Sequence, residues 1–600
     1  MEKTTVKWDL SDLYSGVDDP RIEDTFATQL ARTEEFAAKY REKIDSPDLT
    51  AETLKEALVE FENIQQEIDK PLTYASLLHA ADTSDPARGA FLQRMRERHS
   101  DLIVRLVFFE LELMAVPEEV MDTVCCKSAL ERYRHYVWAE RLFREYRLSE
   151  PEEKILEEKA NTGKRAFSRL FDQTTSNIPF KMVRDGKEIT LTLPEVVSLL
   201  RDPDREVRRT AAHTLTEGLT ANSPMLTYIF NILLQDKAVD DRLRDYAYPE
   251  QARHLSNELD RETVEVVVGE AIKAYPMVAR YYRLKREILG YDRLTHYDRY
   301  APLFATKEEV SFDAAKEIVL ASFKKFSPVM ADSAASFFGN GWIDAEVRKG
   351  KRGGAFCSYV TPDLHPYVFV NYLNRLDDVM TLAHELGHGV HACLARKHGY
   401  LNFSSVLPVA ELASTFGEML VFESLTKQAS LQDKLALYAS KCEDSFGTIF
   451  RQAAMYRFEQ AIHSMRREKG ELTTEAFSEI WQARQQEMFG DSVILEDEHK
   501  YWWMYVPHFI GSPFYVYAYT FGELLVMALY AMYKKEGSAF APKYIKLLET
   551  GGSEKPADML SKIGIDIQDP AFWQGGLGVL EEFIEQFEGL YAECKAADSY

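Results

Sequence analysis

Two histidines and a glutamate lie close together in the stretch Met380–Leu394, whose sequence is MTLAHELGHGVHACL. His384 and His388 are four residues apart, so on an α-helix their imidazoles share one face about one turn, roughly 6 Å, from each other. Two imidazoles at this spacing can bind one metal ion. Glu385 is rotated by roughly 100° from His384, which places its carboxylate beside such an ion, where it can take a proton from a water molecule. The pattern H-E-x-x-H therefore predicts a zinc site with a general base next to it.

The histidine pattern needs support from its surroundings, because about 0.05 chance matches are expected in a chain with 14 His among 600 residues. The rest of the stretch is apolar or small and contains no proline, which predicts a buried helix. Burying two histidines beside a glutamate is costly unless a partner satisfies them. A metal ion is such a partner, so the context favours a metal site over ordinary core histidines.

A third histidine, His391, is a competing ligand candidate. It lies seven residues after His384 and returns to nearly the same helix face, but roughly 10 Å further along the axis. That distance is too long for a tetrahedral site if the helix continues. A helix break that brings in a third histidine needs a glycine at position 391 and a histidine at position 394, whereas the chain has His391 and Leu394. We expect His391 to support the site or the fold rather than to bind the ion.

The third ligand is expected from a second helix further along the chain. Gly399 ends the histidine helix, and the stretch AELASTFGEMLVFESL then starts a new helix with Glu411 in its first turn. We therefore predict that Glu411 completes a zinc site with His384 and His388, which leaves a fourth position for water. Glu418 follows on the same face, where it either accepts a hydrogen bond from a ligating histidine or is an ordinary solvated carboxylate.

Helical periodicity dominates the rest of the chain, so the fold is predicted to be mainly α. One exception is the stretch FKMVRDGKEITLTLPE, in which two β-type runs flank Asp185 and Gly186 and predict a β-hairpin over about residues 179–193. A soft boundary after this hairpin divides the chain into an N-terminal helical lobe, residues 1–200, and a larger lobe, residues 201–600. The larger lobe contains the candidate metal site.

The composition limits the classes of function. The chain has 72 Lys+Arg against 96 Asp+Glu, a formal net charge of -24, and no clustered basic run, which argues against a nucleic-acid partner. The most apolar window, LIVRLVFFELELMAV from Leu102 onward, is interrupted by Arg105, Glu110 and Glu112, so we expect no membrane span. The N-terminus lacks the basic start and apolar run of a secretory signal, which indicates a cytoplasmic protein. Six scattered cysteines are expected to be free thiols.

Four motifs together resemble a known family. HELGHGVH followed by ELAS, with WDLSDLY near the N-terminus and HFIGSPFYVYAY near the C-terminus, is similar to the thimet oligopeptidase family, and most closely to its oligoendopeptidase F branch. The resemblance extends over nearly the whole chain. It implies a mostly helical protein in which two lobes enclose a deep substrate channel, with one zinc ion at the channel floor and peptides as substrates.

The same resemblance gives a role to the C-terminal motif. A Gly-Ser-Pro breaker precedes a helix that carries Tyr515 and Tyr519 on one face and Tyr517 on another, while His508 stands in the loop before it. In the family, a histidine and tyrosines of this segment donate hydrogen bonds to the scissile carbonyl and its oxyanion. The resemblance implies this role for His508, Tyr515 and Tyr519. The alternative for each tyrosine is packing in the core.

Two further stretches are expected to line the substrate cleft. The segment His365–Leu373, HPYVFVNYL, has the β-branched and aromatic residues typical of a strand. It resembles the edge strand that pairs with the extended substrate backbone in zinc peptidases of this type. In the stretch Gly350–Tyr359, Gly353 and Gly354 would allow a close approach of the peptide.

These residues together predict a zinc endopeptidase that acts on short unstructured oligopeptides. In this hypothesis His384, His388 and Glu411 hold one zinc ion, Glu385 is the general base, and His508 with a tyrosine stabilises the oxyanion. One alternative is a helical peptide-binding or scaffold protein with a structural metal site, although such a site needs no base and usually closes all four positions with protein ligands. The other is an exopeptidase on the same fold, which needs a charged anchor for a peptide terminus.

Overall fold

The computed structural model describes residues 5–184, 186–304 and 309–597. Helices dominate these residues, and the sheets in them are one two-stranded hairpin and one three-stranded sheet. The prediction of a mainly α fold with a small β element is therefore confirmed.

The helices are numbered in chain order. Those that begin before residue 260 are α1 (Pro20–Tyr40), α2 (Ala51–Ala81), α3 (Pro86–Ala115), α4 (Glu118–Cys125), α5 (Arg134–Arg141), α6 (Glu150–Ala160), α7 (Lys164–Asn177), α8 (Leu193–Ser198), α9 (Arg205–Ala221), α10 (Ser223–Leu243) and α11 (Gln251–Ser256). Those that begin later are α12 (Arg261–Lys273), α13 (Tyr275–Leu289), α14 (Phe312–Phe326), α15 (Pro328–Gly339), α16 (Leu376–Ala395), α17 (Leu407–Ala410), α18 (Leu412–Gln428), α19 (Leu431–Ser445), α20 (Arg451–Lys469), α21 (Thr474–Phe489), α22 (His508–Gly511), α23 (Tyr517–Glu536), α24 (Ala541–Thr550), α25 (Pro556–Ser561) and α26 (Pro570–Ala597). A π-helical segment, Phe446–Phe450, joins α19 to α20.

The predicted hairpin is present. Strand β1 (Phe180–Arg184) pairs with β2 (Lys187–Leu191) in antiparallel register, with Phe180 opposite Leu191. Gly186 has a φ of 74°, in the left-handed region that hairpin turns require. Asp185, the other predicted turn residue, lies outside the described residues.

The second sheet corrects one expectation about the substrate cleft. Its strands are β3 (Ile343–Asp344), β4 (Phe356–Ser358) and β5 (Tyr367–Phe369), in the order β3-β5-β4. Strand β5 runs parallel to β3 and antiparallel to β4. The strand predicted within His365–Leu373 therefore exists, but the expectation that it is an edge strand is wrong. Strand β5 has a neighbour on each side, so β4 forms an edge of the sheet instead. All three residues of β5 are also buried, with α16 and Trp8 packed against them.

Contacts divide the chain into two compact units, each assembled from three separated segments. Unit 1 consists of Met1–Arg144, Lys307–Gln428 and Met532–Asp566. Unit 2 consists of Glu145–Thr306, Ala429–Ala531 and Ile567–Tyr600. The single boundary predicted near residue 200 does not coincide with this division. Local composition marks a change along the chain, but it does not reveal that distant segments fold together.

Unit 1 places the histidine helix against helices and the sheet. Helices α1, α2 and α3 pack around Phe36, Phe61 and Phe109, whose ring centroids lie 4.7 to 6.1 Å apart. Helix α16 contacts α15, α18 and α24 and also packs against β4 and β5. The three-stranded sheet and α18 are thus both in contact with the helix that carries the H-E-x-x-H pattern.

Unit 2 has its own hydrophobic core. Helix α26 packs on α19, α12 and α13, and α20 lies against α21 and α10. Four tryptophans of this unit are less than 2% exposed: Trp481, Trp502, Trp503 and Trp573. Large aromatic side chains buried to this degree dominate core energetics, so these tryptophans form a main part of the core of unit 2.

Membrane-spanning helices and disulfide bonds were both considered from the sequence. Among the described residues, no helix has both the length and the apolar character needed to cross a bilayer. The six cysteines are free thiols, as predicted from their spacing.

Candidate metal centre

Helix α16 is the helix predicted at the histidine motif. The carboxylate of Asp378 accepts hydrogen bonds from the backbone N–H groups of Leu373 and Arg375, at 2.7 and 2.9 Å. These bonds stabilise the start of the helix in the manner of an N-terminal cap. Most of the remaining residues of the helix are buried, so α16 is a rigid core element on which side chains are held precisely.

Two glycines allow α16 and α18 to touch through their backbones. A Cβ atom on Gly387 would lie 2.3 Å from the carbonyl oxygen of Ala413 and 2.6 Å from the Cα of Ser414. A Cβ atom on Gly417 would lie 3.1 Å from the carbonyl oxygen of Ala383. Because a side chain at Gly387 would overlap the neighbouring backbone, glycine is required for this approach. Gly387 stands between the two histidines, so the contact sets the distance from the histidines to the start of α18.

Three donor atoms converge where these helices meet. The Nε2 atoms of His384 and His388 each lie 3.3 Å from Oε2 of Glu411, and the three donor atoms lie within 4.8 Å of one another. Ligand atoms about 2.0–2.2 Å from a tetrahedral zinc ion are separated by roughly 3.3–3.6 Å, so both His–Glu distances fit this ion. Within residues 5–184, 186–304 and 309–597, no other group of three His, Cys, Asp or Glu residues has this arrangement.

The charges of the three groups are strongly coupled. Burial lowers the pKa of His384, but hydrogen bonds and charge from Glu411 and Glu418 outweigh burial and hold the pKa well above its ordinary value. Burial raises the pKa of Glu411, but His384 and His388 outweigh it and hold that pKa well below its usual range. Glu411 is therefore a carboxylate, the form that binds metal.

Glu411 is placed slightly differently from the prediction. It follows the short helix α17 and directly precedes α18, with φ -86° and ψ 4°, rather than standing inside the first turn of α18. Pro408 lies at the first positions of α17, which therefore begins an earlier turn that the sequence pattern did not reveal. The hydroxyl of Ser414 donates a 2.6 Å hydrogen bond to Oε2 of Glu411. Sequence reasoning missed Ser414, although its spacing of three residues from Glu411 was the available signal.

Glu418 orients the first histidine. Its Oε1 atom lies 2.7 Å from Nδ1 of His384, so the predicted hydrogen bond to this histidine is confirmed. A carboxylate at Nδ1 fixes the ring with Nε2 free for a metal ion and increases the basicity of the ring. The alternative, a solvated carboxylate without a role at the site, does not apply to Glu418.

Glu385 lines a cavity next to the three donor atoms. The cavity has a volume of about 410 Å³, and its walls include Phe356, Cys357, Tyr359, His384, Glu385 and His388. Glu385 is 6% exposed. Burial, the largest effect, raises the pKa of its carboxyl group above the ordinary value. Since Phe356 and Cys357 belong to β4, the edge of the sheet and the side chain of Glu385 face the same space.

His391 stays apart from the three donor atoms. It is 1% exposed, and its Nε2 atom lies 3.4 Å from the hydroxyl oxygen of Ser405. Burial lowers the pKa of His391 to about 4, so the ring is neutral near pH 7. The helix continues without a break past this residue. The sequence analysis excluded His391 as a ligand on the condition that the helix continues, and this condition is met.

Unit 2 brings together three of the predicted residues from the C-terminal motif. His508 begins the one-turn helix α22 and does not lie in a loop as predicted, because the carbonyl oxygens of Pro507 and His508 accept hydrogen bonds that close a helical turn. Nε2 of His508 lies 3.5 Å from the hydroxyl of Tyr519. The ring of Tyr515 is 6.0 Å from that of His508 and 5.3 Å from that of Tyr519. All three side chains are part-buried, which leaves each of them some surface for a ligand.

Tyr517 points the other way, into the core. It is 1% exposed, and its hydroxyl accepts a 2.8 Å hydrogen bond from the side-chain amide of Asn257. Its ring packs edge-on against His254 and Tyr456. The core-packing interpretation therefore describes Tyr517, whereas the rings of Tyr515 and Tyr519 lie beside that of His508. The prediction that one helix carries all three tyrosines is wrong, because α23 begins at Tyr517 and Tyr515 precedes it.

The loop that carries Tyr515 is held by a buried carboxylate that sequence reasoning missed. Glu459 is 0% exposed and accepts a 2.7 Å hydrogen bond from the backbone N–H of Phe514. Phe514 has a φ of 59°, a left-handed conformation that is uncommon for a residue with a side chain. Nothing in the local sequence pairs position 459 with position 514, so only the structure identifies this contact.

Comparison with family models gives two matches. The model described as peptidase family M3 matches residues 198–579, well over half of the chain, and the model described as oligopeptidase F matches residues 112–180. The first match contains all of the residues predicted for the metal site and the C-terminal motif. The matched segments together extend through both units.

Comparison with individual proteins agrees with these matches. Oligopeptidase PepF of Bacillus subtilis is 28% identical over 602 residues, with 96% of this chain and 87% of that protein covered. An oligoendopeptidase F homolog of Lactococcus lactis is 28% identical, with 98% and 97% covered. The crystal structure of oligoendopeptidase-F from Enterococcus faecium has a TM-score of 0.72 at 20% identity, with 96% of this chain and 99% of that chain covered, and this likeness shows the fold alone.

Proposed function

This chain belongs to peptidase family M3, and on that premise we propose that it is a zinc-dependent endopeptidase that hydrolyses internal bonds of short unstructured oligopeptides. The observation that carries the proposal is the convergence of His384, His388 and Glu411 at zinc-compatible distances. Glu385 lines the same cavity as the two histidines. The names of the relatives, oligopeptidase PepF and oligoendopeptidase F, support oligopeptides as the substrate class.

The three donor residues would hold one zinc ion per chain. When bound, zinc supplies a Lewis acid that lowers the pKa of water and polarises a carbonyl group. Glu418 would keep His384 in the ligating orientation, and Ser414 would keep the carboxylate of Glu411 turned towards the histidines. Both supporting bonds exist in the chain itself, so the donor set is already organised.

Glu385 would act as the general base. Its carboxylate takes a proton from the water that attacks the scissile carbonyl and then delivers this proton to the leaving amine. The side chain is suited to this role because it is buried in the wall of the cavity and lies off the group of three donor atoms. A buried carboxylate also interacts more strongly with charge than it would in bulk water.

The edge of the sheet offers a way to hold the substrate. We propose that an extended peptide pairs with β4, since an edge strand presents unpaired backbone groups that bind a chain regardless of its side chains. Phe356 and Cys357 of β4 line the same cavity as Glu385. Gly353 and Gly354 just precede this strand, and a Cβ atom built on either meets no atom within 4 Å, so the approach is open.

The C-terminal motif would stabilise the oxyanion. We propose that His508 and Tyr519, with Tyr515 beside them, donate hydrogen bonds to the developing negative charge, an effect commonly worth about 3 kcal/mol per donor. Burial and the nearby charge of Arg451 lower the pKa of His508. The ring is therefore neutral near pH 7 and carries one N–H that can be donated.

A single assay tests the proposed function. The protein is incubated with an end-blocked, internally quenched peptide, first as isolated, then with a chelator, and then with zinc restored. We expect cleavage of an internal bond, loss of cleavage with the chelator and recovery with zinc. Cleavage only of peptides with a free terminus would indicate an exopeptidase, and tight peptide binding without cleavage would indicate a scaffold protein.

Replacing Tyr519 with phenylalanine is expected to lower kcat by about 10²-fold with little change in peptide binding. The substitution removes one hydroxyl and keeps the ring, so it removes a donor that acts mainly in the transition state. Steady-state kinetics together with peptide binding to the metal-free protein measure the two effects separately.

The matched control is Tyr517→Phe. It removes a hydroxyl from the neighbouring helix face, where the only expected loss is the hydrogen bond with Asn257, about 1 kcal/mol of stability. We expect kcat to change by less than about twofold in this variant. If Tyr517→Phe lowers kcat strongly and Tyr519→Phe leaves kcat unchanged, the oxyanion donor must be another residue of this segment.

A further inference from the structure

Three arginines surround one tyrosine in unit 2. The guanidinium carbons of Arg299 and Arg201 lie 4.5 and 5.0 Å from the ring centroid of Tyr300. Nη1 of Arg451 donates a 2.8 Å hydrogen bond to the hydroxyl of the same tyrosine. Three positive charges are therefore gathered around one neutral phenol.

The carboxylates of this neighbourhood are already paired with other groups. Asp298 accepts from Arg205 and Arg208, at 2.8 and 3.1 Å. Glu443 lies 2.6 Å from the ammonium group of Lys285, which is fully buried. In the part of the chain that the structure describes, no carboxylate forms an ion pair with any of the three arginines around Tyr300. These arginines therefore form an uncompensated positive cluster in a chain whose net charge is -24.

Two of these guanidinium groups also have unused donors. The Nε atoms of Arg299 and Arg451 are buried and have no hydrogen-bond partner. Arg299 is 3% exposed, and its other contacts are a ring nitrogen of His499 at 3.5 Å and the face of Trp502 at 5.4 Å. Buried cations are normally paired because water no longer solvates them. A positive cluster that contains a buried, unpaired guanidinium group indicates that a ligand supplies the missing anion.

The positive charges of the three arginines change the pKa of the Tyr300 hydroxyl. Burial raises its pKa, but the charges of Arg299, Arg451 and Arg201 outweigh burial and lower the pKa to about 8. The hydroxyl accepts a hydrogen bond from Arg451 and retains a proton of its own, so it can donate that proton to an anion beside the guanidinium group.

The cluster lies close to the proposed oxyanion residues. Arg451 contacts the hydroxyl of Tyr505, three residues before His508, and the charge of Arg451 lowers the pKa of His508. Arg451 also follows directly after the π-helical segment Phe446–Phe450. Single π-helical turns inside helices occur frequently at functional sites, because they turn the following side chains away from the regular helical direction.

We propose that Arg451, with Arg201 and Tyr300, binds a carboxylate group of the peptide substrate. Arg201 is exposed, and Arg451 and Tyr300 are part-buried, so all three can be reached from solvent. Guanidinium groups bind carboxylates through paired hydrogen bonds, and the buried Arg299 adds a third positive charge beside Tyr300. The inference rests on the proposed function, since it identifies the substrate as a peptide with a carboxylate at a defined place.

A carboxylate could come from the C-terminus of the peptide or from an acidic side chain, and matched substrates distinguish the two. Four internally quenched peptides share one sequence. The first pair differs only in a C-terminal carboxylate or carboxamide. The second pair carries the carboxamide and differs only in one Glu or Gln beyond the cleaved bond. For one of these pairs, we expect kcat/KM to be roughly 10-fold or more higher for the member with the additional carboxylate. This ratio corresponds to the hydrogen bond to a charged group that the other member cannot form.

The variants are Arg451→Met and Arg201→Met, with Arg209→Met as the matched control. Arg201 is exposed, so its replacement tests the site even if Arg451→Met fails to fold. Arg209 is an exposed arginine that pairs with Glu206 at 2.6 Å. We expect the preference, measured as the ratio of kcat/KM within each peptide pair, to disappear in both cluster variants and to persist in the control.

The outcomes separate this inference from the proposed function. Equal cleavage within both peptide pairs by the wild-type protein, or a preference that survives in both cluster variants, would overturn the carboxylate site and leave the peptidase intact. If the wild-type protein cleaves none of the four peptides, the proposed function fails and the carboxylate site falls with it.

Discussion

Replacing Glu385 with glutamine is expected to lower kcat by roughly 10²- to 10⁴-fold while the chain keeps its zinc. The amide has nearly the same shape as the carboxylate, so it fits the cavity wall, but it cannot take a proton from water. The carboxylate is not one of the three converging donor atoms, so metal content should be unaffected. Metal analysis of the purified variant and steady-state kinetics on the quenched peptide measure the two quantities independently.

The control for this prediction is an acid-to-amide change elsewhere on the same helix. Asp377 lies in the first turn of α16, where it is exposed, and Asp377→Asn is expected to change kcat by less than about twofold. Zinc loss in Glu385→Gln would make Glu385 a ligand, and unchanged turnover would exclude it as the general base.

Replacing Glu411 with alanine is expected to release the metal, whereas His391→Ala should retain it. Glu411 provides one of the three donor atoms, and its carboxylate is held in place by Ser414. The loss in zinc affinity should exceed the 10–100-fold that is typical for removal of a group that only supports a ligand. Competition with a zinc-binding dye measures the affinity of each variant directly.

His391→Ala tests whether His391 is a metal ligand. The ring is buried and its removal leaves a cavity, so this variant is expected to lose stability, by about 2–5 kcal/mol for a large buried side chain. Zinc must therefore be measured per folded chain, with folding followed by circular dichroism. Zinc loss in His391→Ala combined with zinc retention in Glu411→Ala would reverse the assignment.

The part of the site that depends on local spacing was predictable from sequence. Residues four apart on a helix share a face whatever the helix packs against, so His384 and His388 could be paired without a structure. The same rule separated Tyr519 from Tyr517 within α23, whereas Tyr515 precedes this helix, so its place beside Tyr519 does not follow from helical spacing. The hydrogen bond between Glu418 and His384 joins two helices, and it was predictable only once Glu411 had been chosen as the partner of the histidines.

Contacts between distant segments were not predictable in this way. Strand order in the three-stranded sheet depends on which segments meet, and the pattern of His365–Leu373 is the same for a central strand as for an edge. The contact between Glu459 and Phe514 and the arginine cluster around Tyr300 also join positions with no periodic relation. The two units likewise follow from long-range contacts, which one sequence does not display.

The order of segments in unit 1 has a consequence for synthesis on the ribosome. Helix α24 packs against α16, and the hydroxyl of Tyr544 donates a hydrogen bond to the carbonyl oxygen of Leu412, next to Glu411. At about 5–20 residues per second, roughly 10 to 30 s pass between translation of His384 and translation of Tyr544. During this interval the histidine helix lacks one of its packing partners. A nascent chain therefore completes the packing around the candidate metal centre only after Tyr544 has been translated.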